Sequence, residues 1–512
     1  MIPRSGCGHC LRPGCHGIAV AVLLAGSCLG VSGLVSHERL LSGGSPALLL
    51  AADADSKSGS AAGSQTSAPA ASAPATGNRS PVTAKTDAPA VPVDAANPQN
   101  PAIEVEQLVA QLGRGAAEQA RARERLRQLG ATSLVHWPQT KEIPIPARAA
   151  AEHLRREIRR GVFEQQLGRI SIQPIDSTQP QEWLRELVLR SGNRVELSPS
   201  LASSPAALRL PVEAKSPGSF WSGLDHVTQA NRLTWEWDRG RSALRLIPLP
   251  AENGSRTGTA LEQDSFWLTA GPTRWIPADP ETSQPARVRI PWQIEAAPRS
   301  RLLLLTYAAR DVQVRTSNGQ TLPPISPVAQ FELGTAQGDR LGAQIDMRAD
   351  EPVTGPLQVS ARWKLTIAAF REELRFADLA FGAQVYRVQH GRYSRAAVTL
   401  LRADFQPAAG GTWTARIRLL IQPDPAEPTL ESHQQPLLFQ RVWLEAKDGT
   451  REPLNGPVQI GPAEIDGQPI DGTQADYEFQ DLKQSPGGWS LIFELPSLID
   501  QYDLRATWPA VR

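Results

Sequence analysis

The stretch Gln181-Glu-Trp-Leu-Arg-Glu-Leu-Val-Leu-Arg-Ser-Gly192-Asn-Arg-Val195 decides the fold of the central part of the chain. Its apolar residues recur with helical spacing, and Gly192 stands where a left-handed helix cap belongs. The β-branched Val195 then follows a Gly-Asn turn. The stretch therefore predicts a helix over residues 180–191 and a strand over residues 194–197.

The same alternation extends outward from this stretch. Period-two patterns predict strands at residues 170–175 and 207–212, and again at 233–237 and 243–247. A second helix is predicted over 219–230, with Asn231 as its left-handed cap. Residues 168–250 are thus expected to form one βαββαββ module.

This module resembles the short N-terminal domain of secretins and TonB-dependent receptors. The resemblance lies in the helix–Gly–Asn–strand phrase quoted above and in Phe220-Trp-Ser-Gly-Leu-Asp-His-Val-Thr-Gln-Ala-Asn-Arg-Leu-Thr-Trp235, which is similar to the closing helix and strand of that domain. It implies a protein-interaction module of the bacterial envelope without catalytic residues, in which strand 233–237 pairs with a partner by β-augmentation. No ring-forming region follows the module in this sequence, so channel activity is not expected.

Residues 102–165 precede the module and have helical periodicity. The pattern predicts two antiparallel helices, the second closed by Gly130, and a third helix over 147–162. We interpret the arginine-rich face of the third helix as solvated; it consists of Arg155, Arg156, Arg159 and Arg160. The first two helices resemble a single HEAT-type repeat.

Beyond a linker at residues 252–258, short alternating runs separated by Gly, Pro, Asn and Asp predict β structure to the end of the chain. We expect one or two antiparallel β-sandwich domains, over 264–350 and 355–512, which makes the whole chain multidomain α+β. Residues 370–379 resemble the C-terminal regions of large uncharacterised exported bacterial proteins. Four tryptophans are predicted to lie in the core, the alternative being a ligand-stacking surface: Trp413, Trp443, Trp489 and Trp508.

The N-terminal residues 1–52 have the parts of a signal peptide or another targeting segment. Arg4 and Arg12 precede an apolar core at 17–26, and a second apolar patch at 46–52 is the alternative cleavage region. Neither patch reaches the ~20 residues of a membrane-spanning helix. Cys28 stands in an approximate lipoprotein box, so lipidation is a further alternative. Residues 53–101 are rich in Ala, Ser and Pro, which predicts a disordered linker.

Composition favours no charged partner, since 53 Lys and Arg residues oppose 52 Asp and Glu residues for a formal net charge of +1. Nucleic acid is therefore not an expected partner. The four cysteines lie at positions 7, 10, 15 and 28, all within the targeting segment. We interpret the zinc-like spacing of Cys7 and Cys10 as incidental there.

No catalytic, cofactor-binding or metal-binding residue is predicted, because the sequence contains no HExxH pair, no GxSxG elbow and no phosphate-binding Gly-rich loop. The acidic pairs are interpreted as solvated turns, although a carboxylate pair is also what glycoside hydrolysis requires. These pairs are Glu372 with Glu373, Asp424 with Glu427, and Asp466 with Asp471.

The sequence thus predicts an exported protein of the periplasm, the cell surface or the exterior, acting as a non-catalytic interaction or scaffold module without a cofactor. Its expected partner is another envelope protein, and glycan or cell wall is an alternative partner. Membrane contact is expected only through an N-terminal anchor. Two other functions stay open: a secreted carbohydrate-binding or carbohydrate-active β-sandwich protein, and a component linked to a secretin or TonB transport system.

Overall fold

The computed structural model shows an α+β fold with several antiparallel sheets in a sandwich-like arrangement, and 47% of it is strand. It describes residues 100–168, 171–175, 177, 179–203, 208–215, 218–238, 243–250, 259–334, 340–379, 383–424, 441–465, 467–484 and 486–511. The predicted targeting segment, the linker that follows it up to residue 99 and the linker at 252–258 lie outside these residues. Within them, no helix has the length and apolarity needed to cross a membrane.

The α-helices of the described residues lie in the first half of the chain. Their bounds are α1 Pro101–Gln111, α2 Ala116–Leu129, α3 Ala131–Val135, α4 Ile145–Leu167, α5 Pro180–Ser191, α6 Pro199–Ala202, α7 Val212–Lys215 and α8 Phe220–Asn231.

The strands begin in the central module and continue to the end of the chain. Their bounds are β1 Val195–Leu197, β2 Leu233–Asp238, β3 Ala243–Pro248, β4 Thr259–Gln263, β5 Phe266–Ala270, β6 Arg274–Ile276, β7 Arg287–Ala296, β8 Arg301–Ala308, β9 Val312–Arg315, β10 Thr321–Leu322, β11 Gln330–Gly334, β12 Arg340–Arg348, β13 Leu357–Phe376, β14 Ala383–His390, β15 Ala397–Pro407, β16 Trp413–Gln422, β17 Val442–Glu445, β18 Arg451–Pro453, β19 Val458–Ile465, β20 Gln468–Leu482 and β21 Ser490–Val511.

The helical segment forms because its apolar stripe is buried on one side. Val105, Val109 and Leu126 of the packed pair α1 and α2 are all buried, as the periodicity predicts. Helix α4 is longer than predicted at both ends. Pro146 is accommodated in its first turn, where the missing N–H costs no hydrogen bond, and the buried Phe163 continues its stripe beyond residue 162.

In the central module, α5 and α8 lie where the sequence predicts them, and Gly192 adopts the left-handed cap with φ of 69°. The predicted cap at Asn231 is wrong, because the left-handed residue is Arg232 with φ of 53°. The Asn231 side chain instead accepts a hydrogen bond from the backbone N–H of Arg209 and donates one to its carbonyl, at 2.5 and 2.7 Å. It thereby fixes the loop before α7.

Two predicted strands of this module are not observed. Within 171–175, Ile172 makes only an isolated bridge to Gly218, and the described residues 208–211 are irregular before α7 begins at Val212. Pro174 and Pro211 interrupt both runs, since proline cannot donate to a strand ladder. The predicted βαββαββ order is therefore not the observed one. The module's sheet has three strands in the order β1-β3-β2, with β1 parallel to β3.

Three further sheets follow. Their strand orders are β12-β7-β5-β4 with β6 on β7, then β10-β9-β13-β21-β17-β18 with β8 on β13 and β11 on β8, and finally β14-β15-β16-β20-β19. Strands β13 and β21 pair almost throughout, from Leu357 opposite Val511 to Phe376 opposite Leu491. The central of these sheets therefore takes strands from both predicted ranges, 264–350 and 355–512.

The buried side chains form three main clusters. One joins the helical segment to the sheets around Trp292 and Trp363, whose rings stack with centroids 4.5 Å apart. A second cluster lies beneath the C-terminal sheet, which holds β14, β15, β16, β20 and β19, and a third fills the central module around Trp183 and Trp221. The core of the module also includes Trp267 and Ala297 from the sheet region that follows it.

Candidate binding cleft between the central module and the sheets

Tryptophans attach the central module to the sheet that follows it. The indole N–H of Trp221 donates to the carbonyl of Ser265 at 3.0 Å, and that of Trp235 donates to Glu295 Oε2 at 2.7 Å. The Trp267 ring lies 6.0 and 5.7 Å from those two rings. These buried, directional contacts hold the module in one orientation.

Arg299 completes this attachment. Its guanidinium donates to the carbonyls of Gln166, Gly168 and Ser191 and to the Ser265 hydroxyl, and its backbone N–H donates to Asn193. Burial lowers the pKa of Arg299 to about 10, so the group is still cationic at neutral pH. A cation at the C-terminal ends of α4 and α5 is stabilised by both helix dipoles.

Buried ion pairs attach the helical segment to the C-terminal sheet, just beyond β16. Asp424 Oδ2 accepts hydrogen bonds from Arg155 at 2.8 Å, from Arg159 at 2.7 Å and from the backbone N–H of Arg395 at 2.9 Å. The interpretation of Arg155 and Arg159 as solvated is wrong, because both are at most 8% exposed. The interpretation of Asp424 as a solvated turn is wrong for the same reason.

A cleft lies between the attached module and the sheets. It consists of a larger cavity of about 820 Å³ and a smaller one of about 330 Å³, and Arg194 lines both. The larger cavity is lined by Val188, Arg194, Val195, Glu196, Asp238, Asp448, Gly449, Thr450 and Arg451. The smaller one is lined by Gln166, Gly192, Arg194, Pro298, Arg299, Phe370, Arg371, Glu373 and Glu494.

One wall of the larger cavity is the turn between β17 and β18. Asp448 accepts a hydrogen bond from the backbone N–H of Thr450 at 2.9 Å, and hydrogen bonds from Thr450 lower the pKa of Asp448. Gly449 between them has φ of 84°, which favours glycine. Arg451 then pairs with Glu445 at 2.9 Å and lies 4.7 Å from the Trp443 ring, so this wall is held in place.

The opposite wall is β1, an outer strand of its sheet. The carbonyl of Arg194 accepts from Leu244, and the N–H of Ser198 donates to Leu246. Because backbone groups alternate in direction along a strand, residues 194, 196 and 198 face β3, whereas Val195 and Leu197 direct their N–H and C=O groups away from it. No described strand pairs with that outer edge.

The lining of the cleft is mixed in charge. It contains four arginines and five carboxylates, together with the apolar Val188, Val195, Pro298 and Phe370. Leu189, the residue after Val188 on α5, has 66% of its surface exposed. Such a lining suits the backbone and mixed side chains of a peptide better than a polyanion.

The carboxylates of the acidic pairs predicted from the sequence lie in different environments. Glu372 is buried and accepts hydrogen bonds from the backbone N–H groups of Arg392 and Tyr393, so its interpretation as a solvated turn is wrong. Glu373 pairs with Arg451 at 3.3 Å, and Asp471 is exposed. Glu427 and Asp466 lie outside the described residues.

The four tryptophans predicted to lie in the core differ in how deeply they are buried. Trp443, Trp489 and Trp508 are at most 3% exposed, and Trp413 is partly buried against the second core cluster. The core interpretation is confirmed for the first three. In the described part of the chain, no group of three or more His, Cys, Asp or Glu residues is placed to hold a metal ion.

Comparisons with known proteins return no match: no family model matches the chain, and neither the curated proteins nor the solved structures contain a significant relative. The site must therefore be interpreted from its own geometry. The sequence favoured strand 233–237 as the interacting edge, whereas the outer strand that lines the larger cavity is β1. The 194–197 strand was visible in the sequence, but the approach of the 448–450 turn, more than two hundred residues later, was not.

Proposed function

We propose that this chain is a non-catalytic binding protein of the bacterial envelope, and that its cleft binds an extended peptide segment of another envelope protein by β-augmentation on β1. The observation that carries this proposal is the unpaired outer edge of β1, which borders a cavity of about 820 Å³ between two firmly attached bodies. Sites between domains are where ligands most often bind, and volumes of roughly 300–1,000 Å³ are usual for them.

The binding mode follows from the backbone. Val195 and Leu197 offer two N–H and two C=O groups at the spacing of one strand edge, which an added strand satisfies. Each such hydrogen bond contributes only about 0.5–1.5 kcal/mol net, so affinity also requires side-chain contacts. The apolar Val188 and the charged residues of both walls supply these contacts and thereby the specificity.

The other outer strand of the sheet, β2, includes the edge favoured by the sequence. The side chains of Leu233 and Trp235 on β2 are buried, and Trp235 is committed to Glu295. The larger cavity is lined by Val195 and Glu196 of β1 and reaches β2 only at Asp238, its last residue. We therefore assign the peptide to β1.

Two sequence features support the envelope assignment. The N-terminal residues 1–52 have the parts of a targeting segment. In addition, the phrase that resembles secretin and TonB-receptor short domains corresponds to α5, Gly192, Asn193 and β1, which together form one side of the cleft. A role beside a secretin or TonB transport system is a narrower form of the same proposal, in which the bound segment belongs to the transporter.

The test compares Leu197→Pro with Leu197→Ala in the full chain. Both remove the same partly buried side chain, but only proline also removes an outward-facing N–H and obstructs the edge without breaking a bond to β3. A random peptide library displayed on phage is selected on the wild-type chain, and affinities of the recovered peptides are measured. We expect binding about tenfold weaker for Leu197→Pro and near wild-type binding for Leu197→Ala.

Equal affinities for the two variants, with both folded by circular dichroism, would refute binding at β1. The envelope assignment is tested separately by cell fractionation of the epitope-tagged full chain. Recovery in the cytoplasmic fraction would contradict export even if peptide binding at β1 is observed.

A further inference from the structure

A second groove lies on the outer face of the C-terminal sheet, away from the cleft. It has a volume of about 400 Å³ and is lined by Arg402, Asp404, Gln406, Arg416, Ile417, Arg418, Pro457, Gln459, Asp476, Tyr477 and Glu478. These residues belong to β15, β16, β20 and β19 and the approach to β19. Four adjacent strands thus form its floor.

The strand register places the charges in two rows across this floor. In the first row Arg402 faces Arg418, which faces Asp476, which faces Gln459. In the second row, the strand neighbours are Asp404, Arg416 and Glu478. Cross-strand neighbours are about 5 Å apart. Donors and acceptors therefore alternate along the second row, whereas in the first row two arginines lie side by side, next to Asp476.

Carboxylates hold the guanidinium groups in position. Asp476 accepts two parallel hydrogen bonds from Arg418, at 2.7 and 3.0 Å, and Glu478 accepts one from Arg416 at 2.9 Å. Hydrogen bonding to Asp476 raises the pKa of Arg418, so this guanidinium stays cationic at neutral pH. A bidentate pair of this kind restricts both side chains to one geometry.

Hydrogen-bonding capacity is left over after these pairs form. Both terminal nitrogens of Arg416, and one of Arg418, have no hydrogen-bond partner within the described residues. The side chain of Arg416 is 61% exposed and that of Arg418 is 43% exposed, so these donors are accessible from solvent. Gln406 and Gln459 add amides that both donate and accept.

The groove has no net charge, because the three arginines are balanced by Asp404, Asp476 and Glu478. A polyanion gains little from such a surface. A hydroxyl group both donates and accepts, so adjacent hydroxyls on one ring match an arginine beside a carboxylate. A neutral polyhydroxylated ligand is the chemical class that uses both halves of each ion pair.

We propose that this groove binds a neutral saccharide, with Arg416 and Arg418 as its main donors and Asp476 and Glu478 as its acceptors. This gives a location to the carbohydrate-binding alternative that the sequence leaves open, and it requires no catalytic carboxylate. The site is separate from the β1 cleft, so neither proposal depends on the other.

The test uses the full chain and a panel of neutral oligosaccharides of glucose, mannose, xylose, galactose and N-acetylglucosamine. Binding is screened on an array and measured by titration calorimetry for Arg416→Gln, Arg418→Gln and the control Arg362→Gln. Arg362 is a matched control, because it lies on β13, is 58% exposed and pairs with Asp503 at 3.6 Å. Thermal unfolding confirms that the variants are folded.

We expect the wild-type chain to bind at least one of these saccharides, with affinity about tenfold lower in each groove variant and unchanged in Arg362→Gln. High salt should leave the affinity nearly unchanged, since the ligand is neutral. Absence of binding to every saccharide would overturn the proposal. An equal loss in the control, no loss in either groove variant, or a steep fall of affinity with salt would overturn it as well.

Discussion

Replacing Asp424 with asparagine should weaken the attachment of the helical segment to the rest of the chain. The substitution keeps the shape of the side chain but removes the negative charge that receives Arg155 and Arg159 at 2.8 and 2.7 Å. All three side chains are at most 8% exposed, so water cannot compensate for the lost charge. Removing one partner from a buried ion pair costs about 3–5 kcal/mol, and we expect a loss of unfolding free energy in that range.

The matched control is Asp503→Asn, the same chemical change in the exposed pair with Arg362, which should cost less than about 1 kcal/mol. Urea unfolding followed by tryptophan fluorescence gives the two free energies, and hydrogen exchange shows where protection is lost. For Asp424→Asn, α4 should exchange faster than in the wild type. If both variants lose the same small amount, or if α4 keeps its protection, the buried ion pairs do not hold the helical segment in place.

Three further outcomes are expected. Gly456→Ala should destabilise the protein by about 1–3 kcal/mol in urea unfolding, because the new Cβ would clash with the backbone carbonyl oxygen of Glu478, whereas Gly461→Ala, with open space around it, should be nearly neutral. Burial raises the pKa of Glu445, but hydrogen bonds from two arginines outweigh this effect, so the net pKa is lowered. The carboxylate therefore stabilises the folded state above the unfolded-state pKa, and this stabilisation is lost as the pH falls through the folded-state pKa. The stability difference between the wild type and Glu445→Gln should therefore shrink in acid, and a constant difference across an unfolding series at several pH values would contradict this account. Arg299→Leu should cost at least about 2 kcal/mol and accelerate hydrogen exchange at the C-terminal end of α5, and unchanged exchange there would show that Arg299 does not hold that helix.

Local patterns predicted the elements well where one periodicity was uninterrupted. The bounds of α5 agree with the prediction at both ends, because its apolar stripe and the Gly192 cap are both encoded within a dozen residues. The same reasoning failed at residues 170–175 and 207–212, where an alternating pattern is interrupted by proline and lacks a partner strand. A short alternating run becomes a strand only if another strand is available to pair with it.

The charged residues show a similar division between local and long-range information. The arginines of α4 have the spacing of an ordinary solvated face, and Asp424 has the sequence context of a turn. Their burial depends on contact between positions 265 and 269 residues apart, which no local pattern encodes. The groove on the C-terminal sheet was not predicted for a related reason, since its rows of charge exist only once four strands are in register.

By itself, the sequence determined α5, α8 and the strands β1 to β3, the β-rich second half and the burial of Trp443, Trp489 and Trp508. Each depends on periodicity and side-chain hydrophobicity within a short window. Only the tertiary structure decided which strand edge stays open, which charges are buried and which polar side chains line a groove. Those properties depend on distance in space: only folding places Val195 and Asp448 around the same cavity and brings Arg155 into contact with Asp424.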